Sequence, residues 1–205
     1  MKLLTETPLL IGLAGTLNAG KDSFAHRLEE EHGFLHMSTS DMIRQMKRDE
    51  FGADNPESLL KRNDPFINEL RSTRNPGFLI EEIHAKWLKE QEQYPGGFVA
   101  SAMRAVGEAE EIQRIGGIIV FVDADPKTRY ERSQLRQRDA NETGVSFEQF
   151  MATEQSEIDV DPNDKSVQNL GAMREMADIV IMNDGNDIAA FQDEAVEKLT
   201  SFLAS

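Results

Sequence analysis

Lys21 closes the run Gly15-Thr16-Leu17-Asn18-Ala19-Gly20-Lys21, and a lysine six residues beyond a glycine, directly after a second one, is placed to hold phosphate. The glycines let backbone N–H groups turn inward, and the helix starting near Gly20 adds the positive end of its dipole. Lys21, exposed at the loop, then supplies a point charge for the β- and γ-phosphates of a nucleoside triphosphate. Thr16, Asn18, Ala19 and Ser23 complete the loop and first helical turn around those phosphates. Asp22 falls where such loops place the Ser or Thr that binds magnesium, so it is either a metal ligand or an acid favoured in the first turn of a helix. A glycine-rich turn that only joins strand to helix would need none of this chemistry, and the apolar run before the loop and the helical pattern after it argue for a nucleotide.

A second group of candidates is cationic. Arg129, Arg132 and Arg136 recur at helical spacing on one face, with Arg138 just beyond, and Arg44 and Arg104 stand alone after apolar runs. They gain weight from their background, because the chain has a formal net charge of −15 and must concentrate cations wherever it handles phosphate. The same charge argues against a nucleic-acid partner. No apolar run approaches the length of a membrane span, and the N-terminal apolar stretch leads straight into the phosphate loop, which reads as a first strand rather than a signal peptide. The absence of cysteine excludes a disulfide scaffold and a thiolate metal site and fits a cytoplasmic protein. The four histidines show no metal-ligand spacing, and His36 reads as a core or edge residue.

The elements that must position these residues follow from the hydrophobic pattern. Short apolar runs at 9–14, 34–38, 98–101, 118–123 and 179–182 predict five parallel strands. Helical patterns fit 21–31, 41–50, 65–72, 77–91, 107–114, 126–138, 146–157, 167–176 and 188–203. The expected fold is α/β, a three-layer P-loop architecture in a single domain over 1–205. Residues 41–93 are too many for a simple crossover and predict an inserted lobe, and the polar region 138–165 predicts a lid.

After the second strand comes Ser38-Thr39-Ser40-Asp41-Met42-Ile43-Arg44, with Arg44 one helical turn inside a helix that Ser38, Thr39 or Ser40 can cap. A guanidinium there would point to the carboxyl ends of the strands and hold an acceptor phosphate bidentately; a solvated residue paired with Asp41 is the plainer alternative. This segment resembles the stretch that opens the monophosphate-binding lobe of adenylate kinases. With the phosphate loop, Arg104, the run Asp123-Ala124-Asp125-Pro126 through Arg132 and the late Asn183-Asp184-Gly185, nearly the whole chain resembles small P-loop kinases similar to adenylate and dephospho-coenzyme A kinases, including the kinase-like domain attached to some deoxycytidylate deaminases.

The resemblance implies an ATP-dependent, magnesium-using nucleoside or deoxynucleoside monophosphate kinase with a small-molecule nucleotide as its partner. It implies acceptor binding by Ser38, Thr39, Asp41, Arg44 and Arg104, catalytic roles for Lys21, Arg104, Arg132 and Arg136, and packing of Asn183 and Gly185 along the donor adenine. Transfer to a hydroxyl, with Asp41 as base, and nucleotide sensing without turnover are the alternatives. Two departures stand out. Asp22 replaces a hydroxyl, and Ser101 ends the third strand where many relatives carry aspartate, so the two are expected to share one magnesium site with exchanged roles.

Overall fold

Continuous apolar runs are the signature of strands covered on both faces, and each of the five becomes a strand of one all-parallel sheet. In the computed structural model, which describes residues 7–59, 64–135, 145–155 and 164–205, these are β1 (Leu9–Gly15), β2 (Phe34–Ser38), β3 (Gly97–Met103), β4 (Ile118–Asp123) and β5 (Ile179–Met182), in the order β2-β3-β1-β4-β5. The helices are α1 (Lys21–His32), α2 (Thr39–Phe51), α3 (Pro65–Thr73), α4 (Phe78–Glu90), α5 (Val106–Arg114), α6 (Pro126–Leu135), α7 (Phe147–Gln155), α8 (Leu170–Glu175) and α9 (Ile188–Leu203), with a 3₁₀ turn at Pro56–Ser58. Among the described residues no helix is long and apolar enough to cross a membrane.

Alternation along β1 decides the layers. Ile11 and Leu13 pack on Phe24 and Leu28 of α1 and on Ala195 and Leu199 of α9. Leu10 and Ala14 face the opposite way, onto Ile80, Ile83 and Trp87 of α4, Ala109 and Ile112 of α5 and Met173 of α8. The chain thus leaves β1 toward one face and leaves the adjacent β3 toward the other. In open α/β sheets a crevice forms at the carboxyl ends of two such strands, and ligands bind there.

The end of β3 is shaped for that crevice. Leu13 pairs with Ser101 but Ala14 with Met103, so Ala102 is the extra residue of a bulge, and its φ of 61° lies in the left-handed region. Buried Thr39, at the start of α2, donates from Oγ1 to the carbonyls of Ala102 at 2.9 Å and Ser101 at 3.2 Å, holding the bulge in place.

Residues 41–93, expected as an inserted lobe, include one helix that covers the main sheet. The apolar face of α4 packs on the sheet beside Phe98, making α4 the crossover helix into β3. α2 and α3 share a further small core with α4, made of Ile43, Ile67, Phe78 and Leu79. Most of 138–165 lies outside the described residues. Within it α7 packs on α6 through Tyr130, Phe147 and Phe150 and through the ion pair of Arg129 with Glu154. Arg129 is therefore the anchor of α6.

Candidate functional site

The phosphate loop is set by backbone geometry that only certain residues allow. A Cβ on Gly15 would lie 2.0 Å from the carbonyl oxygen of Val122, and one on Gly20 would lie 2.5 Å from Nδ2 of Asn183. Gly20 (φ 103°) and Asn18 (φ 59°) are both left-handed, the second in a residue type that tolerates it. Lys21 is nearly buried rather than exposed: its ammonium donates to the carbonyls of Gly15 at 2.9 Å and Thr16 at 2.6 Å. Among the described residues the buried Nδ2 of Asn18 has no hydrogen-bond partner, an orphaned donor of the kind a phosphate oxygen satisfies. Ser23 turns its hydroxyl back to the carbonyl of Gly20 at 2.8 Å.

Two cavities meet at this loop. The smaller, about 310 Å³, lies between Asn18, Gly20, Ser23, Arg132, Asn183 and Gly185. Asn183, itself buried, donates from Nδ2 to the carbonyl of Ala19 at 2.7 Å, so the loop after β5 props the phosphate loop. Arg132 spans the same junction, donating to the carbonyls of Asn18 at 3.3 Å and Asn183 at 2.9 Å and also to that of Gly185. It stands on the side of this smaller cavity, because its guanidinium is drawn in by three carbonyl oxygens. Arg136 lies outside the described residues.

The larger cleft, about 750 Å³, brings Asn18, Lys21, Asp22, Ser38, Asp41, Arg44 and Arg104 together. Ser38 caps α2, its hydroxyl accepting from the backbone N–H of Asp41 at 3.3 Å. Arg44 is exposed, with Nη1 2.5 Å from Oδ1 of Asp41, so the plainer pairing and the cleft position hold together. The backbone N–H of Arg104 donates to Oε2 of Glu108 at 2.9 Å, which fixes where its side chain departs.

Two expectations about this cleft need correcting. Thr39 does not line the cleft, because its hydroxyl is consumed by the β3 bulge. Ser101 is fully buried and its Oγ lies 2.8 Å from Nε2 of His36, so it is not available to pair with Asp22 on the cleft surface. His36 lies on the edge strand β2, as expected, and also lines the cleft with His26 and Glu29. Burial, reinforced by the neighbouring His26, pushes the His36 imidazole below its ordinary pKa of 6.5, while Glu29, Asp22 and Asp41 pull the other way.

Sequence reasoning also missed Asp123, at the end of β4. Its Oδ1 accepts from Thr16 Oγ1 at 2.8 Å and its Oδ2 from Arg174 of α8, so it braces the start of the phosphate loop. Its position at the carboxyl end of a strand next to β1 was the available signal.

The profile of a family described as AAA domain matches residues 11–157, which take in the phosphate loop, the bulge and the arginine helix. The chain belongs to the AAA domain family. Solved structures resemble this AAA domain over nearly its whole length. An uncharacterized protein from Eubacterium ventriosum is 16% identical with a TM-score of 0.57, covering 95% of this chain and 99% of that one. Shikimate kinase from Bacteroides thetaiotaomicron is 14% identical with a TM-score of 0.53, covering 96% and 99%. TT1252 from Thermus thermophilus is 16% identical with a TM-score of 0.52, covering 96% and 98%. At these identities the likeness is one of fold, the five-stranded P-loop architecture. No curated protein sequence matches.

Proposed function

We propose that this AAA domain is a cytosolic phosphotransferase that moves the γ-phosphoryl of ATP to a small anionic acceptor, of which a nucleoside monophosphate is the leading candidate. One observation carries the reading: Lys21 and Asp22 of the phosphate loop open onto the same cleft as Arg44 and Arg104, which come from two other strand ends. The smaller cavity, between the phosphate loop and the loop after β5, fits the donor base. The larger one then takes the acceptor, with two guanidinium groups to orient its charge. Phosphoryl transfer to a phosphate needs alignment and charge neutralisation rather than a strong base.

The orphaned Asn18 donor, on the phosphate loop, fits a triphosphate. Asp22 is the carboxylate on the cleft that would hold magnesium, an ion that neutralises phosphate charge. Asp41, also on the cleft, favours a second reading in which the acceptor is a hydroxyl and Asp41 takes its proton. Shikimate, the acceptor named by one structural neighbour, belongs in that test.

The experiment measures ADP release with nucleoside monophosphates, dephospho-coenzyme A and shikimate as acceptors, with Lys21→Ala as control. Release with a monophosphate, lost in the control at an undiminished thermal midpoint, supports the first reading. Release only with a hydroxyl acceptor supports the second. ATP binding without release from any acceptor refutes both and leaves a nucleotide sensor.

A further inference from the structure

His26, Glu29 and His36 come from two elements and converge on one spot of the larger cleft. His26 and Glu29 are three residues apart on α1 and so share a face, while His36 comes from β2. Oε2 of Glu29 lies 3.4 Å from Nδ1 of His26 and 3.7 Å from Nδ1 of His36. The three donor atoms all lie within 4.8 Å of one another. Bonds of ~2.0–2.1 Å to a tetrahedral zinc ion put its ligand atoms roughly 3.4 Å apart. Two of the three spacings are therefore already close to what a single ion requires, and a small rotation of exposed His26 closes the third.

The supporting contacts point the same way. The imidazoles stand at 88° with centroids 5.0 Å apart, in edge-to-face contact, so the two rings are already neighbours. Nε2 of His36 is engaged with Ser101 Oγ at 2.8 Å, which fixes the ring and leaves Nδ1 directed at Glu29. A metal-bound histidine is commonly oriented by such a contact through its other nitrogen. Asp22 and Asp41 lie close enough to act on His36, so the surroundings are negative and favour a dication.

We infer that His26, Glu29 and His36 form a binding site for a divalent transition-metal ion of the zinc class, with its remaining coordination positions turned to the larger cleft. Two imidazoles and one carboxylate select zinc, cobalt or nickel over magnesium, which prefers oxygen ligands and retains its waters. The open positions take water or an anionic oxygen of whatever occupies the cleft. The site is separate from the magnesium chemistry assigned to Asp22, and it stands whether or not the phosphotransferase reading does.

The test uses the full-length protein, stripped with a chelator and titrated with cobalt(II), followed by visible absorption, and with zinc by calorimetry, both in excess magnesium. One ion binds per chain, and cobalt gives the intense visible band of a low-coordinate site. His26→Ala, at an exposed position, and Glu29→Gln each weaken zinc by at least roughly 10–100-fold, the loss that removing even a partner that only orients a ligand brings. Asp22→Asn keeps the cobalt band. His36→Gln abolishes it, and if that variant fails to fold, the other two decide. Equal zinc affinity in wild type and His26→Ala overturns the inference. So does displacement of cobalt by magnesium, or a band lost in Asp22→Asn but kept in His26→Ala.

Discussion

Arg71 and Glu108 form an ion pair beneath the larger cleft, with Nη2 2.5 Å from Oε1 and side chains only 2% and 0% exposed. The other oxygen of Glu108 accepts from the backbone N–H groups of Arg104 and Ala105. Arg71 on α3 thus ties the inserted segment to the turn that carries Arg104. Removing one member of a buried pair leaves the other uncompensated, at a cost of about 3–5 kcal/mol. Arg71→Ala is expected to lower stability by that amount in urea unfolding, while Arg71→Met combined with Glu108→Gln, which removes the charge but keeps an acceptor for the two backbone N–H groups, recovers most of it. A loss of acceptor binding at unchanged stability would make Arg71 a ligand residue instead.

Arg44→Ala and Arg104→Ala should weaken the acceptor far more than ATP, since both line the larger cleft. Losing a charge-assisted hydrogen bond costs ~1.5–3 kcal/mol, about ten- to a hundredfold in affinity. The ion pair with Asp41 places Arg44 at the lower end, because part of its charge is already engaged. Calorimetric titration of each ligand separately checks this, and equal losses for both contradict it.

Arg132→Ala should raise the dissociation constant of ATP by about tenfold, the effect of losing one charge-assisted contact. Its guanidinium joins carbonyls of the phosphate loop and of the loop after β5, so its loss loosens the smaller cavity. If turnover falls while ATP affinity holds, Arg132 acts on the transition state, as the kinase resemblance implied.

Ala102→Gly should stabilise the protein. A left-handed alanine costs roughly 1–2 kcal/mol that glycine avoids, and the added freedom of the unfolded chain returns about half of it. The expected net gain is about 0.5–1 kcal/mol in the free energy of unfolding, read as a higher urea midpoint. A destabilised variant would mean that the alanine methyl makes contacts worth more than the strain.

The fold was legible because its signals are local. Buried parallel strands write themselves as apolar runs, and the phosphate loop is eight contiguous residues from Gly15 to Asp22. The apolar face of α4 was present in the sequence too, but it does not say whether Ile80, Ile83 and Trp87 cover the sheet or a separate lobe. The site was only half legible. Arg44 and Arg104 follow strand ends and could be read from that position. His36 meets Ser101 across 65 residues and Asp123 meets Thr16 across 107, pairings that no local pattern encodes. Thr39 looked like a ligand residue because a hydroxyl beside a strand end serves a cap, a bulge or a substrate equally well.

Lys21 carries one last implication. Its ammonium has already exchanged water for the carbonyls of Gly15 and Thr16. The dehydration of that cation is therefore a burden on folding and not on nucleotide binding, where one set of oxygens simply replaces another. A protein arranged in this way carries a standing instability at the residue it needs most. Lys21→Met, which fills the same space without charge, should unfold at higher urea than the wild type while losing its grip on triphosphate, so that robustness and activity separate at a single side chain.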